Sequence, residues 1–178
     1  MDLIKIKNDS SGCCSGNSGC CVTKQEKSII TIDFLYLDLS ICERCQGAEN
    51  NLDEAINEVS IVLKAAGYDI VVNKVNITTE ELAVKYEFIS SPTIRINGKD
   101  IAVEVIESSC KECGDLCGDN VDCRVWSYEG EEYTQPPKAL ILNAILKEIY
   151  TNVKMTHLEV EKYIIPNNLK VFFDGKNK

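Results

Sequence analysis

Ten cysteines stand in three groups in this 178-residue chain, and the spacing within each group sets the chemistry open to it. Cys42 and Cys45 form a C-x-x-C pair between an apolar run and a helical pattern. The thiolate is the reactive form of cysteine, and a place at a helix N-terminus lowers its pKa from ~8.5 into the range ~3.5–7.5. Cys42 is therefore the expected nucleophile, and Cys45, one turn later, the thiol that resolves a mixed disulfide. Arg44 adds positive charge beside the pair and Glu43 opposes it. The alternatives are a pair serving only as metal ligands, or an inactive scaffold.

Cys110, Cys113, Cys117 and Cys123 follow the spacing C-x2-C-x3-C-x5-C, with Gly114 and Gly118 to allow tight turns. Four thiols so spaced can close around one tetrahedral ion such as zinc. Two disulfides stapling the loop, a second redox pair, or unlinked thiols fit the same spacing. The adjacent pairs Cys13-Cys14 and Cys20-Cys21 suit thiophilic ions: Cu(I), Hg(II), As(III) or Zn(II). Against this stands a tail whose thiols are incidental.

Other chemistry is sparse. His157 is the single histidine, far from any cysteine, and reads as a surface or capping residue. Trp126 and Tyr128 are expected to pack over the cysteine cluster, and residues 128–133 to form a solvated acidic turn. There is no glycine-rich phosphate loop and no Ser/His/Asp order. The formal net charge is -9 with no Lys/Arg cluster, which excludes nucleic acid and anionic membranes as expected partners. No apolar run approaches the roughly 20 residues of a membrane span. The N-terminus has no apolar core of a secretory signal, so the expected location is the cytoplasm. In a reducing compartment many cysteines mean redox chemistry or metal binding rather than a disulfide scaffold.

These thiols need elements to position them. Residues 8–27 are rich in Ser, Gly and Asn, and predict a flexible tail after a short edge strand at 2–7. Residues 28–40 read as a central strand covered on both faces. From 46 to 66, Ala48, Leu52, Ala55, Ile56, Val59, Val62, Leu63 and Ala66 recur at helical steps, and Gly67 stops the helix. A strand is expected over 68–77, then a short helix over 78–88 opened by Thr78 and Glu81. Strands 93–98 and 99–107 form a hairpin at Asn97-Gly98. One more short strand follows the cluster, and residues 136–153 form an amphipathic helix with Pro at its start. The order is that of an α/β sandwich.

With C-x-x-C between a strand and a helix, and "AVKYEFISSPTIRINGK" about fifty residues later, the chain resembles the thioredoxin superfamily. The likeness spans roughly residues 28–107 and 136–150. It implies a central mixed sheet flanked by helices, a cis-proline at Pro92 after Ser91, and catalysis by Cys42, Cys45 and Pro92. The sequence departs at three points: the pair encloses Glu43-Arg44, Ile41 precedes it, and Tyr36 stands where thioredoxins carry a buried acid. The cysteine-rich insertion and the tail "YIIPNNLKVFF" also resemble a bacterial and archaeal family of thioredoxin-like domains of unknown function. The combination of a thioredoxin-like fold with adjacent cysteine pairs is similar to metalloid chaperones of the arsenic-resistance type.

The expected organisation is a tail at 1–27, a thioredoxin-like domain at 28–153 with a cysteine-rich insertion at 108–124 before the last core helix, and a packed C-terminal extension at 154–178. The expected function is a thiol-disulfide oxidoreductase acting on a disulfide-containing protein or a small thiol, with the 110–123 cysteines as relay. The alternative is a carrier of a soft metal or metalloid (As, Hg, Cu or Zn). The hairpin's return strand would end near Cys42, so the fold predicts that Cys110–Cys123 lie beside Cys42 and Cys45. The tail enters the first strand at the end opposite Cys42, and the segment from Cys21 to Ser28 reaches on the order of 20–25 Å, only just the length needed to swing round to that end.

Overall fold

A computed structural model describes residues 27–151 and 163–176. Cys13, Cys14, Cys20, Cys21, His157 and the strand expected at 2–7 lie outside the described residues.

β1 (Ser28–Tyr36) is the centre of the fold. It pairs in parallel with β2 (Tyr68–Asn76) and antiparallel with β3 (Thr93–Ile96), which turns back into β4 (Lys99–Asp100). The sheet order is β2-β1-β3-β4. Between β1 and β2 runs α1 (Glu43–Ala65), and between β2 and β3 the short α2 (Glu80–Lys85). A second sheet joins β5 (Ile106–Ser109), β6 (Asp122–Tyr128) and β7 (Glu131–Tyr133), with α3 (Lys111–Cys117) inserted between β5 and β6. α4 (Lys138–Tyr150) and α5 (Asn167–Lys176) complete the described chain. This mixed α/β arrangement, with sheets flanked by helices, is consistent with the thioredoxin-like expectation.

Two apolar layers cover the first sheet. Ile30, Ile32, Phe34, Ile94 and Ile96 meet Ala48, Leu52, Ala55, Val59 and Leu63 of α1, together with Ile141, Ile145 and Ile149 of α4. Leu35, Leu37, Ile77, Ala83 and Phe88 form the other layer with Leu169, Phe172 and Phe173 of α5, and the cysteines are part of this layer. Burying large side chains of this kind stabilises a fold by ~1.5–3 kcal/mol each. The second face of β1 is covered only at its C-terminal end, since Thr31 and Asp33 remain half-buried.

Several expected boundaries move, each for a local reason. β1 stops at Tyr36 rather than 40, because Asp38 Oδ1 accepts from the backbone N–H groups of Ser40 and Ile41 and turns the chain into α1. α1 begins at Glu43, with Cys42 as its N-cap in extended conformation. Val62 falls on its exposed side. The cap of α2 is Thr79, not Thr78: Thr79 Oγ1 accepts from the Leu82 N–H at 3.3 Å. The Asn97-Gly98 hairpin forms with both residues at positive φ, +49° and +80°. Its return strand ends at Asp100 instead of continuing to 107, because the Asp100 carboxylate accepts from the Ala102 N–H at 3.0 Å and bends the chain away. Residues 106–109 join the second sheet instead.

Trp126 corrects another expectation. It packs with α4 and the sheet, not over the cysteines. Alternation along β6 explains this: Cys123 and Val125 point to one side, Arg124 and Trp126 to the other. Tyr128 reaches α4, where its hydroxyl accepts from Asn143 Nδ2 at 2.7 Å.

Candidate metal centre

The two cysteine-bearing helices meet at their N-termini. Cys42 is the N-cap of α1 and Cys110 the N-cap of α3, and both have extended backbone with no side-chain cap bond. Their sulfurs lie 4.0 Å apart. Cys113, one turn into α3, and Cys123, on β6, complete the group, and the Cys123 thiol faces Cys113 Sγ at 3.6 Å. All four sulfurs lie within 4.8 Å of one another and all four residues are buried. The six described cysteines are free thiols, with no disulfide among them.

A tetrahedral ZnS4 site with Zn–S near 2.3 Å has sulfurs roughly 3.8 Å apart. The observed separations bracket that value, so the four cysteines can hold a metal ion. The chemistry of the donor set favours zinc or a softer ion.

The interior of the C-x-x-C pair builds this site. Arg44 Nη1 donates to the carbonyls of Ser108 (3.2 Å) and Cys123 (3.3 Å) and to Ser108 Oγ (3.0 Å); Arg44 Nη2 donates to the Ser109 carbonyl at 2.7 Å. One planar guanidinium thus gathers the strand ends that carry Cys110 and Cys123 onto the first turn of α1. The opposite side is closed by α5. Asn168 accepts from the Asp122 N–H (2.9 Å) and donates to the Asp122 carbonyl (2.7 Å), next to Cys123. A Cβ on Gly175 would collide with the backbone of Cys117, so only glycine lets α5 lie this close to α3. Gly118, in the left-handed region at φ +72°, ends α3.

Protonation differs among the thiols. Cys42 is held well below the usual thiol range, first by hydrogen bonding from Cys110 and then from Cys113, Cys123 and Cys45. Cys110 is lowered by hydrogen bonds from Cys113 and Cys123, while its own thiol faces Glu112 Oε2 at 3.3 Å. Cys113 and Cys123 are pushed up, chiefly by their bonds to Cys110. Cys45 is pushed up by its bond to Cys42 and by burial.

The remaining sequence candidates are placed as follows. Cys45 lies outside the four-sulfur group, with Sγ 3.4 Å from Ser91 Oγ. Ser91 Oγ also accepts from the Leu37 N–H at 3.2 Å. The Ser91-Pro92 bond is cis, and the Ser91 carbonyl accepts from the Arg124 N–H at 2.7 Å, which ties β6 to this loop. Cys117 stays apart from the cluster: it sits about 6 Å further along α3 than Cys113, and its thiol faces the carbonyls of Gly114 and Asp119 at 3.8 and 3.7 Å. Sequence reading grouped Cys117 with Cys110, Cys113 and Cys123; the structure groups Cys42 there. Missed altogether was Arg44 as a clasp. Its signal was the replacement of a small C-x-x-C interior by a long forked donor.

Among the described residues, no helix is long and apolar enough to cross a membrane. Residues 30–145 match a family described as a domain of unknown function, DUF2703. No curated protein and no solved structure matches the chain.

Proposed function

The chain belongs to the DUF2703 family, a domain of unknown function, and we propose that it binds zinc or another thiophilic ion through Cys42, Cys110, Cys113 and Cys123 on a scaffold of the thioredoxin superfamily. One observation carries this reading: four buried sulfurs from three separate elements lie within 4.8 Å of one another. Bringing four free thiols together without a bond between them has little structural benefit, whereas a tetrathiolate ion links the elements directly. The bound ion would supply electrostatic cross-linking of the insertion to the domain. In its wider form the protein is a carrier of a soft metal or metalloid, with Cys13, Cys14, Cys20 and Cys21 as further ligands.

Anaerobic purification followed by elemental analysis tests the core of this reading. One ion per chain is expected at the one four-sulfur group found among the described residues. Cobalt substitution should give the intense sulfur-to-metal charge-transfer bands of a tetrathiolate site, lost in Cys113→Ser. Absence of these bands and of any stoichiometric ion would refute it.

A second reading has its own support. Cys42 caps a helix N-terminus, Cys45 lies one turn behind it, and the cis Ser91-Pro92 bond abuts Cys45. This is the arrangement of a thiol-disulfide oxidoreductase acting on a disulfide-containing protein or a small thiol. It ranks second because Cys42 is 0% exposed and faces Cys110 rather than solvent. Disulfide reduction that disappears in Cys42→Ser, by a protein free of metal, would reverse the order.

A further inference from the structure

Five buried sulfurs crowd this end of the sheet, but a tetrahedral ion takes only four. The surplus thiol, Cys45, is fully buried and lies one α1 turn from Cys42. It touches the cluster only through Cys42, and its other side-chain partner is Ser91 Oγ at 3.4 Å. Cys42 therefore has two sets of neighbours: three thiols of the insertion on one side and Cys45 on the other.

Access is equally one-sided. Cys42 and Cys45 are each 0% exposed. Cys110 is itself only 1% exposed, but it backs an open groove of about 600 Å3 together with Ser109, Lys111, Gly114, Asp119 and Val121. Of the four clustered cysteines, it is the one in the lining of that groove. A molecule arriving from solvent meets Cys110 first, and Cys42 stands 4.0 Å behind it.

We infer that the metal centre is a redox-gated one: a small disulfide is reduced at Cys110, the oxidation is passed through Cys42 to Cys45, and the resulting Cys42–Cys45 disulfide removes one ligand and releases the ion. This inference rests on the four-cysteine metal reading above.

The steps balance. The Cys110 thiolate attacks one sulfur of a disulfide RSSR, forming a Cys110–SR bond and expelling RS⁻. Cys42 Sγ attacks Cys110 Sγ, forming Cys42–Cys110 and expelling the second RS⁻. Cys45 Sγ, losing its proton, attacks Cys42 Sγ; Cys42–Cys45 forms and Cys110 leaves as thiolate. The net change is two cysteine thiols and RSSR giving one protein disulfide and two RSH, a two-electron exchange. Cys110, Cys113 and Cys123 remain as three thiolates, and the ion has lost its fourth.

Zinc-loaded full-length protein is exposed to oxidised glutathione under argon. Released zinc is read with a colorimetric chelator, and the disulfide is mapped by mass spectrometry. Release accompanied by a Cys42–Cys45 disulfide is expected. Cys45→Ser and Cys45→Ala should bind zinc at the same stoichiometry yet release it at least tenfold more slowly. Equal release from both variants, a final disulfide confined to Cys110, Cys113 and Cys123, or a loaded protein that keeps its zinc in the presence of oxidised glutathione would overturn the gating alone. A wild-type protein that takes up no zinc would overturn the metal reading and the gating together.

Discussion

At the scale of single residues, Arg44 connects the motif to the insertion. It holds three carbonyls and a hydroxyl from the ends of β5 and β6, and so sets where Cys110 and Cys123 arrive relative to Cys42. Groups that orient metal ligands from behind typically contribute 10–100-fold in affinity. Arg44→Ala is therefore expected to weaken ion binding by about that factor, as read by competition with a chelator of known strength. Arg44→Lys should recover little, since a single ammonium cannot reproduce the forked geometry. Wild-type affinity in Arg44→Ala would show that the strand ends need no clasp.

Among elements, β4 and β6 are joined by a buried charge. Arg124 on β6 is 0% exposed, stacks over Trp126 at 5.2 Å, and donates from Nη1 to Asp100 Oδ1 at 2.9 Å. Its Nε and Nη2 have no partner among the described residues. Burial lowers its pKa, and Asp100 is the main opposing influence. Asp100 also makes the bend that ends β4 and sends the chain to the second sheet. Removing one partner of a buried ion pair leaves an uncompensated charge, which costs on the order of 3–5 kcal/mol. Asp100 is itself partly exposed, so Asp100→Asn is expected near the lower end, about 3 kcal/mol, measured by denaturant unfolding. A loss under about 1 kcal/mol, the value of an ordinary surface pair, would mean that water reaches Arg124.

For the whole molecule, the four-sulfur group sits where the two sheets and three helices converge, so the proposed ion binding would be coupled to folding. Metal thiolates require deprotonated sulfur, and uptake competes with protons. Cys113 and Cys123 have raised pKa values and retain protons at neutral pH, whereas Cys42 and Cys110 are lowered. Loading at neutral pH should therefore release protons, and ion affinity should fall as pH falls. Titration of zinc in weakly buffered solution, with the pH change recorded, checks the sign. Uptake with no proton release would place the ion elsewhere.

Much of this was legible in the residues themselves. The period of α1, the Asn97-Gly98 hairpin and the place of C-x-x-C after a buried strand are local signals, each carried by backbone propensity and side-chain alternation. They suffice for the mixed α/β class and for placing Cys42 and Cys45 at one end of the sheet. The membership of the four-sulfur group is not local. Spacing alone put Cys117 with its neighbours, because Cys110, Cys113 and Cys117 stand at i, i+3 and i+7, on one face of a helix. Once α3 forms, its rise carries Cys117 away from Cys110 and Cys113, and Arg44 draws the insertion onto Cys42 instead. The sequence by itself determined which residues could do thiol chemistry and on which elements they lie. Only the tertiary structure decided which thiols share a site, because that choice depends on how β5, α3 and β6 are pinned to α1 by contacts between residues 64 to 79 positions apart.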